Sequence, residues 1–190
     1  MILSSPNIAL FGTSADPPTL AHQQIILWLS KHYDLVVVWA SNNPSKQHQV
    51  NLKTRTKMLG LLVEESDYCG SNVLLCPNIS DRKTVNTISK AKAIWSDAEF
   101  TFIIGSDLVK QIAKWYQIEK VLEQVKILIV PRIGDELTNS DLEKLQAMGA
   151  RYDFADPPIS KISSSQYRET KDNKLLTPAI QEYLQQSHLY

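Results

Sequence analysis

The chain has 190 residues, 43% of them hydrophobic and 21% charged, so it can bury most of its unfolded surface in one core. Its 20 basic residues balance 20 acidic ones, which excludes a global field able to hold DNA or a charged membrane surface. No stretch approaches the ~20 apolar residues of a membrane span, and the start of the chain has no basic leader. We therefore expect a single domain over residues 1–190, cytoplasmic, with no nucleic-acid or membrane partner. Cys69 and Cys76 lack CxxC spacing and are expected to be reduced thiols.

Short apolar runs predict five buried strands, because continuous rather than alternating apolarity is typical of parallel strands covered on both faces. The runs are Ile8–Phe11, Leu35–Ala40, Val73–Cys76, Phe100–Ile104 and Lys126–Val130. Helical spacing fills the connections. It appears at Ala21, Ile25, Trp28 and Leu29, then at Leu52, Arg55, Leu59, Leu62 and Val63, and further helices are predicted over about Asn86–Trp95, Leu108–Val121 and Ser140–Met148. This alternation predicts a doubly wound, Rossmann-like α/β fold with a parallel sheet of about five to six strands and helices on both faces. Ligands of such a sheet bind outside the carboxyl ends of the strands.

The segment IALFGTSADPPTLAH, Ile8–His22, leads from the first strand directly into a helix. Helix N-termini present unpaired amides and partial positive charge, so this is a place to bind phosphate. The segment is neither a Walker A loop nor GxGxxG. A single histidine there is commonly an ordinary helix residue, and only the complete string favours function.

A second candidate anion site is ISSSQYR, Ile162–Arg168. Serine hydroxyls at a helix start cap exposed amides and with them form a concave anion site, to which Arg168 adds a fork of charged donors. Taken alone, the same serines are an ordinary helix cap.

Both segments resemble motifs of one nucleotidyltransferase superfamily. The first is similar to G-T-F-D-P-x-H/T-x-G-H and the second to I-S-S-[ST]-x-[IV]-R. Three stretches between them match in the correct order, as does the end of the chain. These stretches are ASNNPSKQ around Lys46, IIGSDL around Asp107, and KWYQIEKVLEQVKILIVPR from Lys114 to Arg132. Nicotinate-nucleotide adenylyltransferases are the branch that the chain resembles most.

The resemblance implies AMP transfer from ATP to nicotinate mononucleotide in NAD biosynthesis, with Mg²⁺ on the triphosphate and no metal ligand from the protein. It assigns catalytic roles to His22, Thr19 and Arg168. It assigns ATP binding to Gly12, Thr13, Lys46, Gly105, Asp107, Ile162, Ser164 and Ser165. It assigns mononucleotide binding to Ser14, Thr84, Thr87, Trp115 and Arg132.

Several of these residues have an alternative structural interpretation. Without the resemblance, Lys46 is a solvated surface lysine and Asp107 is a helix cap. Trp115 is then a core residue, whereas the resemblance implies that its indole stacks on the pyridinium ring. Thr84 is otherwise a plain helix start. Arg55, in a helix where the family commonly has arginine, is open between structure and function.

The chain departs from the family pattern at four places. Ser14 and Ala15 make the first loop one residue longer, and Ala21 replaces a glycine. Tyr167 stands where a β-branched residue is usual. Asp81–Thr87, DRKTVNT, lacks the glycine, proline and tyrosine of the family's R-x-G-P-S-Y-T-x-D-T.

Rival functions stay open on the sequence alone. A related adenylyl- or cytidylyltransferase that takes nicotinamide mononucleotide or pantetheine phosphate shares the first motif. A sensor that binds nucleotides without catalysis is the alternative from another class. A homo-oligomer is neither predicted nor excluded.

Overall fold

The computed structural model describes residues 5–43, 46–65, 72–132, 134–156 and 162–190. All strands within these ranges belong to one parallel six-stranded sheet in the order β3-β2-β1-β4-β5-β6. The strands are β1 (Asn7–Thr13), β2 (Leu35–Ala40), β3 (Val73–Leu75), β4 (Glu99–Gly105), β5 (Lys126–Val130) and β6 (Tyr152–Phe154). This order and the helices between the strands confirm the predicted doubly wound, Rossmann-like fold.

Eight α-helices lie in the described ranges. They are α1 (Leu20–Ser30), α2 (Leu52–Glu65), α3 (Thr84–Ile94), α4 (Ser106–Val109), α5 (Ile118–Leu122), α6 (Asn139–Ala147), α7 (Ser164–Thr170) and α8 (Pro178–Ser187). No helix in these ranges is long and apolar enough to cross a membrane.

Alternate residues of the four central strands enter two separate cores, one on either face of the sheet. Ala9 and Phe11 of β1 pack in the core that also holds buried residues of α1, α2, α7 and α8. Ile8 and Leu10 pack in the opposite core, with buried residues of α3 to α6. Because both faces are covered, the central strands show the continuous apolarity from which they were predicted.

Two elements differ from the prediction. The helix expected over Leu108–Val121 is three pieces: α4, a 3₁₀ turn at Ile112–Lys114, and α5. Trp115 is extended and Gln117 is left-handed with φ of 52°, and apolar spacing carries no signal for a positive φ. The sixth strand, β6, was not located by its sequence, because it lies at the sheet edge with Asp153 and Phe154 exposed.

Cys69, and Pro44 and Ser45 of the ASNNPSKQ stretch, lie outside the described residues.

Candidate active site

A cleft of about 990 Å³ lies at the carboxyl ends of the strands. This volume is at the upper end of the range for small-molecule sites. Sixteen residues were predicted for the site, and fourteen line the cleft. They are Gly12, Thr13, Ser14, His22, Lys46, Thr84, Thr87, Gly105, Trp115, Arg132, Ile162, Ser164, Ser165 and Arg168. Thr19 and Asp107 lie just outside its lining.

The imidazole of His22 is held as a neutral donor. The backbone N–H of Thr19 donates to its Nδ1 at 3.1 Å, so that nitrogen carries no proton and the neutral ring keeps its proton on Nε2. Burial, together with the positive charges of Arg132 and Lys46, lowers the pKa of His22 from 6.5 to about 3. His22 therefore presents an N–H rather than a cation to the cleft, and an arriving polyphosphate would favour its protonated form.

Thr19 is fully buried, and its hydroxyl lies 2.9 Å from His22 Nδ1. Since Nδ1 is the acceptor of the Thr19 amide, the hydroxyl donates to the same nitrogen. The catalytic role that the resemblance implies for Thr19 stays a prediction. Thr19 fixes the orientation of the His22 ring from behind.

The two predicted anion loops are bonded to each other. Ser164 Oγ donates to the carbonyl of Pro17 at 2.7 Å, and Arg168 Nη1 donates to the carbonyl of Asp16 at 2.6 Å. Arg168 Nη2 donates to Ser165 Oγ at 2.9 Å, which leaves the hydroxyl proton of Ser165 free to bind an anion. His22 and Arg168 thus face one cleft from loops that are 146 residues apart in sequence.

Further positive charge comes from Lys46 and Arg132. Partial loss of solvation lowers the pKa of Lys46, and Arg132 and Arg168 add to this while Asp107 opposes it. Arg132 Nη1 donates to Asp107 Oδ2 at 3.0 Å, so Asp107 is an ion-pair partner at the rim. Asp107 Oδ1 is buried without a hydrogen-bond partner among the described residues. The ATP contact that the resemblance implies for Asp107 stays a prediction, and the side chain that would make it is 21% exposed.

Two glycines are required by close side-chain approach. A Cβ on Gly12 would lie 2.5 Å from the indole of Trp39 on the neighbouring strand. A Cβ on Gly105 would lie 2.4 Å from Asp107 Oδ1 and 2.8 Å from Arg132 Nε. Any side chain at either position must displace the cleft wall.

Arg55, whose role was open, is a structural clamp. Its guanidinium is 2% exposed and does not line the cleft. Nη1 donates to the carbonyls of Ser14 at 2.8 Å and Ser41 at 2.9 Å, and so joins the loops after β1 and β2.

The far wall of the cleft is formed by α3 and by the break between α4 and α5. Thr84 is the first residue of α3, and Thr87 is buried one turn later. Trp115 packs edge-on against Phe102, with ring centroids 6.2 Å apart. Lys83 lies over the ring of Tyr116, 4.0 Å from its centroid. Lys83 belongs to the DRKTVNT segment, which lacks the tyrosine of the family motif. Tyr116 supplies an aromatic ring at this wall instead.

Sequence reasoning missed three residues that shape the site: Trp39, Asp16 and Tyr190. Trp39 ends a strand-like run, and its position opposite Gly12 follows only from the register of β1 and β2. Asp16 lies within the first motif, and Tyr190 Oη donates to its Oδ1 at 2.5 Å. A contact over 174 residues leaves no local trace in a single sequence.

In the described ranges, no three or more His, Cys, Asp or Glu side chains group together as a metal site.

Comparisons with known proteins identify the family of the chain. The model of the cytidylyltransferase-like family matches residues 10–170. A Synechocystis protein named probable nicotinate-nucleotide adenylyltransferase is 39% identical over 96% of this chain and 98% of its own. A Bacillus mycoides protein of the same name is 31% identical, covering 96% and 97%. The Plasmodium falciparum nicotinic acid mononucleotide adenylyltransferase complexed with NaAD has a TM-score of 0.82 at 23% identity, covering 97% of each chain. The structural likeness shows a shared fold.

Proposed function

The chain belongs to the cytidylyltransferase-like family and, within it, to the nicotinate-nucleotide adenylyltransferases, and from this premise we propose that it transfers AMP from ATP to nicotinate mononucleotide. The products are nicotinate adenine dinucleotide and pyrophosphate. The observation that carries the proposal is the direct bonding of the two anion loops, which brings His22 and Arg168 to one cleft.

The reaction is an in-line displacement. A phosphate oxygen of the mononucleotide forms a bond to the α-phosphorus of ATP as the bond from that phosphorus to the bridging oxygen breaks and pyrophosphate leaves. Such chemistry needs the protein to position two anions and offset charge in the transition state, without a covalent intermediate. His22 Nε2–H is suited to donate to the transferred phosphoryl group. Arg168, Ser165 and Lys46 are suited to hold the leaving pyrophosphate.

The metal is proposed to arrive as part of the substrate. ATP carries Mg²⁺ on its phosphates, which Mg²⁺ commonly uses as ligands with retained waters. The positive side chains of Lys46, Arg132 and Arg168 are suited to pair with the phosphate oxygens of ATP that Mg²⁺ does not bind.

The acceptor is proposed to lie against Thr84, Thr87 and Trp115, with Ser14 and Arg132 near its phosphate. Lys83, Arg82 and Lys114 line the same wall and give it positive charge, which favours the carboxylate of nicotinate over the carboxamide of nicotinamide. One domain over residues 1–190, a cytoplasmic location and the absence of nucleic-acid partners remain predictions. The single sheet that takes in all six strands supports the first.

One assay tests the proposal. Purified protein, ATP and Mg²⁺ are offered nicotinate mononucleotide, nicotinamide mononucleotide or pantetheine phosphate, and dinucleotide and pyrophosphate are measured. We expect the highest kcat/KM with nicotinate mononucleotide. ATP binding without pyrophosphate release from any acceptor would favour the sensor and refute the transferase.

A further inference from the structure

Asp16 is a buried carboxylate with both oxygens occupied. The side chain is 2% exposed, in the loop between β1 and α1. Tyr190 Oη donates to Oδ1 at 2.5 Å, and the backbone N–H of Gln49 donates to Oδ2 at 2.9 Å. His48 Nδ1 lies 3.6 Å from Oδ2. Such a group keeps its conformation only while its donors remain in place.

The backbone around Asp16 is also the joint between the two anion loops. The Asp16 carbonyl accepts from Arg168, and the next carbonyl, of Pro17, accepts from Ser164. The same short segment leads to Thr19 and His22. A shift of Asp16 would therefore move both phosphate-binding loops relative to each other.

Tyr190 contacts this joint from both sides. Its hydroxyl binds the Asp16 side chain, and its ring packs edge-on against Tyr167 of α7 with centroids 6.1 Å apart. Tyr167 directly precedes Arg168. Burial raises the pKa of Tyr190 well above its usual range, and the hydrogen bond to Asp16 acts in the same direction, so the hydroxyl stays protonated and donates.

We propose that Tyr190 is a positioning residue for phosphoryl transfer, which acts through Asp16 to hold the loop of His22 and the helix of Arg168 in one geometry. The inference rests on the proposed function for its kinetic readout. Tyr190 does not line the cleft, so it touches no substrate. Small displacements of catalytic groups are costly, because transfer requires reacting atoms to be aligned.

The alternative is that Tyr190 only anchors the end of the chain to the core. Anchoring would affect the melting temperature and leave the rate per folded molecule unchanged. Positioning would affect the reaction and the binding of pyrophosphate, while the distant pyridine wall continues to bind the mononucleotide as before.

Tyr190→Phe keeps the ring and removes only the hydroxyl. We expect kcat to fall about 10-fold and pyrophosphate affinity, measured by calorimetry, to weaken about 5-fold, since a lost buried hydrogen bond and a misplaced loop have effects of this order. KM for the mononucleotide should stay within about two-fold. The matched control is Tyr167→Phe, which removes a phenolic hydroxyl from the ring in contact with Tyr190 and should leave both quantities close to wild type.

A double-mutant cycle adds an independent check. Asp16→Asn and Tyr190→Phe should show non-additive losses in kcat if they act through one hydrogen bond. Unchanged kcat and pyrophosphate affinity in a folded Tyr190→Phe protein, or additive losses in the cycle, would overturn the inference. Failure of the wild type to form dinucleotide would refute the proposed function instead, and pyrophosphate affinity would still test the positioning role.

Discussion

The phosphate end and the pyridine end of the cleft are built in different ways. At the phosphate end, buried residues of the first loop and the partly buried Ser164 and Arg168 of α7 are joined by short hydrogen bonds at Pro17 and Asp16. At the pyridine end, Lys83 and Tyr116 are exposed, and the backbone between α4 and α5 is irregular. The phosphate end is preorganised for a charge that every substrate of this kind carries. The pyridine end is more exposed and holds one of this chain's departures from the family pattern, the DRKTVNT segment, while the other three lie in or beside the loops of the phosphate end.

The largest effect at the phosphate end is expected from removing the hydrogen-bond donor that His22 provides. His22→Ala should lower kcat by at least about 10²-fold, because the N–H that stabilises the transferred group is lost. Stability at neutral pH should change little. The matched control is His32→Ala: His32 follows the same helix, stacks on Trp28 and does not line the cleft. Near-normal turnover of His22→Ala would remove His22 from the mechanism.

The second prediction tests the link between the two loops. Arg168→Lys keeps the charge but loses the fork that reaches Asp16 and Ser165 together. We expect kcat/KM for ATP to fall about 30-fold, an effect of the size that loss of a charge-assisted pair has. Arg151→Lys, at the amino ends of the strands, is the control and should match wild type. Equal activity of the two variants would mean that charge alone suffices at position 168.

The phosphate end was also the part that the sequence predicted best. Its residues are contiguous in two strings, and each string follows from local rules for strand, turn and helix start. The roles of Thr19 and Arg55 were not predictable, because both depend on which carbonyl or ring lies opposite a buried side chain. The resemblance implies that Asp107 binds ATP, and only the structure shows its ion pair with Arg132, which follows the neighbouring strand β5.

The pyridine end was predicted less well for a physical reason. Trp115 was assigned to a long helix, yet its exposure to the cleft depends on the left-handed Gln117 and on the break around it. The pairing of Lys83 with Tyr116 joins residues 33 positions apart, from a segment where the family motif is incomplete. Tertiary contacts of this kind have no periodic signature.

The third prediction sharpens the contrast between the ends. Trp115→Ala should raise KM for the mononucleotide about 10-fold, since stacking of an aromatic plate on a base is worth about 1–3 kcal/mol. KM for ATP should change by less than about two-fold, because the triphosphate lies at the other end. Trp115→Phe should recover part of the loss, and Trp28→Leu, remote from the cleft, should show none. A parallel rise in both KM values would assign Trp115 to packing of the whole cleft.

The smallest effect concerns the cost of keeping His22 neutral. Its pKa is lowered from 6.5 in the unfolded chain to about 3 in the folded one, so between these values the unfolded state binds the additional proton. The free energy of unfolding should therefore be fully retained above about pH 6.5 and decrease as the pH falls toward 3. His48, whose pKa is lowered by burial and by Arg55, acts in the same direction. Replacing His22 by Gln should make the protein less sensitive to acid, reducing the loss of stability between pH 7 and pH 5 by about 2 kcal/mol in urea titrations. If His22→Gln loses as much stability as wild type over that interval, the imidazole is not held neutral, and the phosphate end then contains a cation before its substrate arrives.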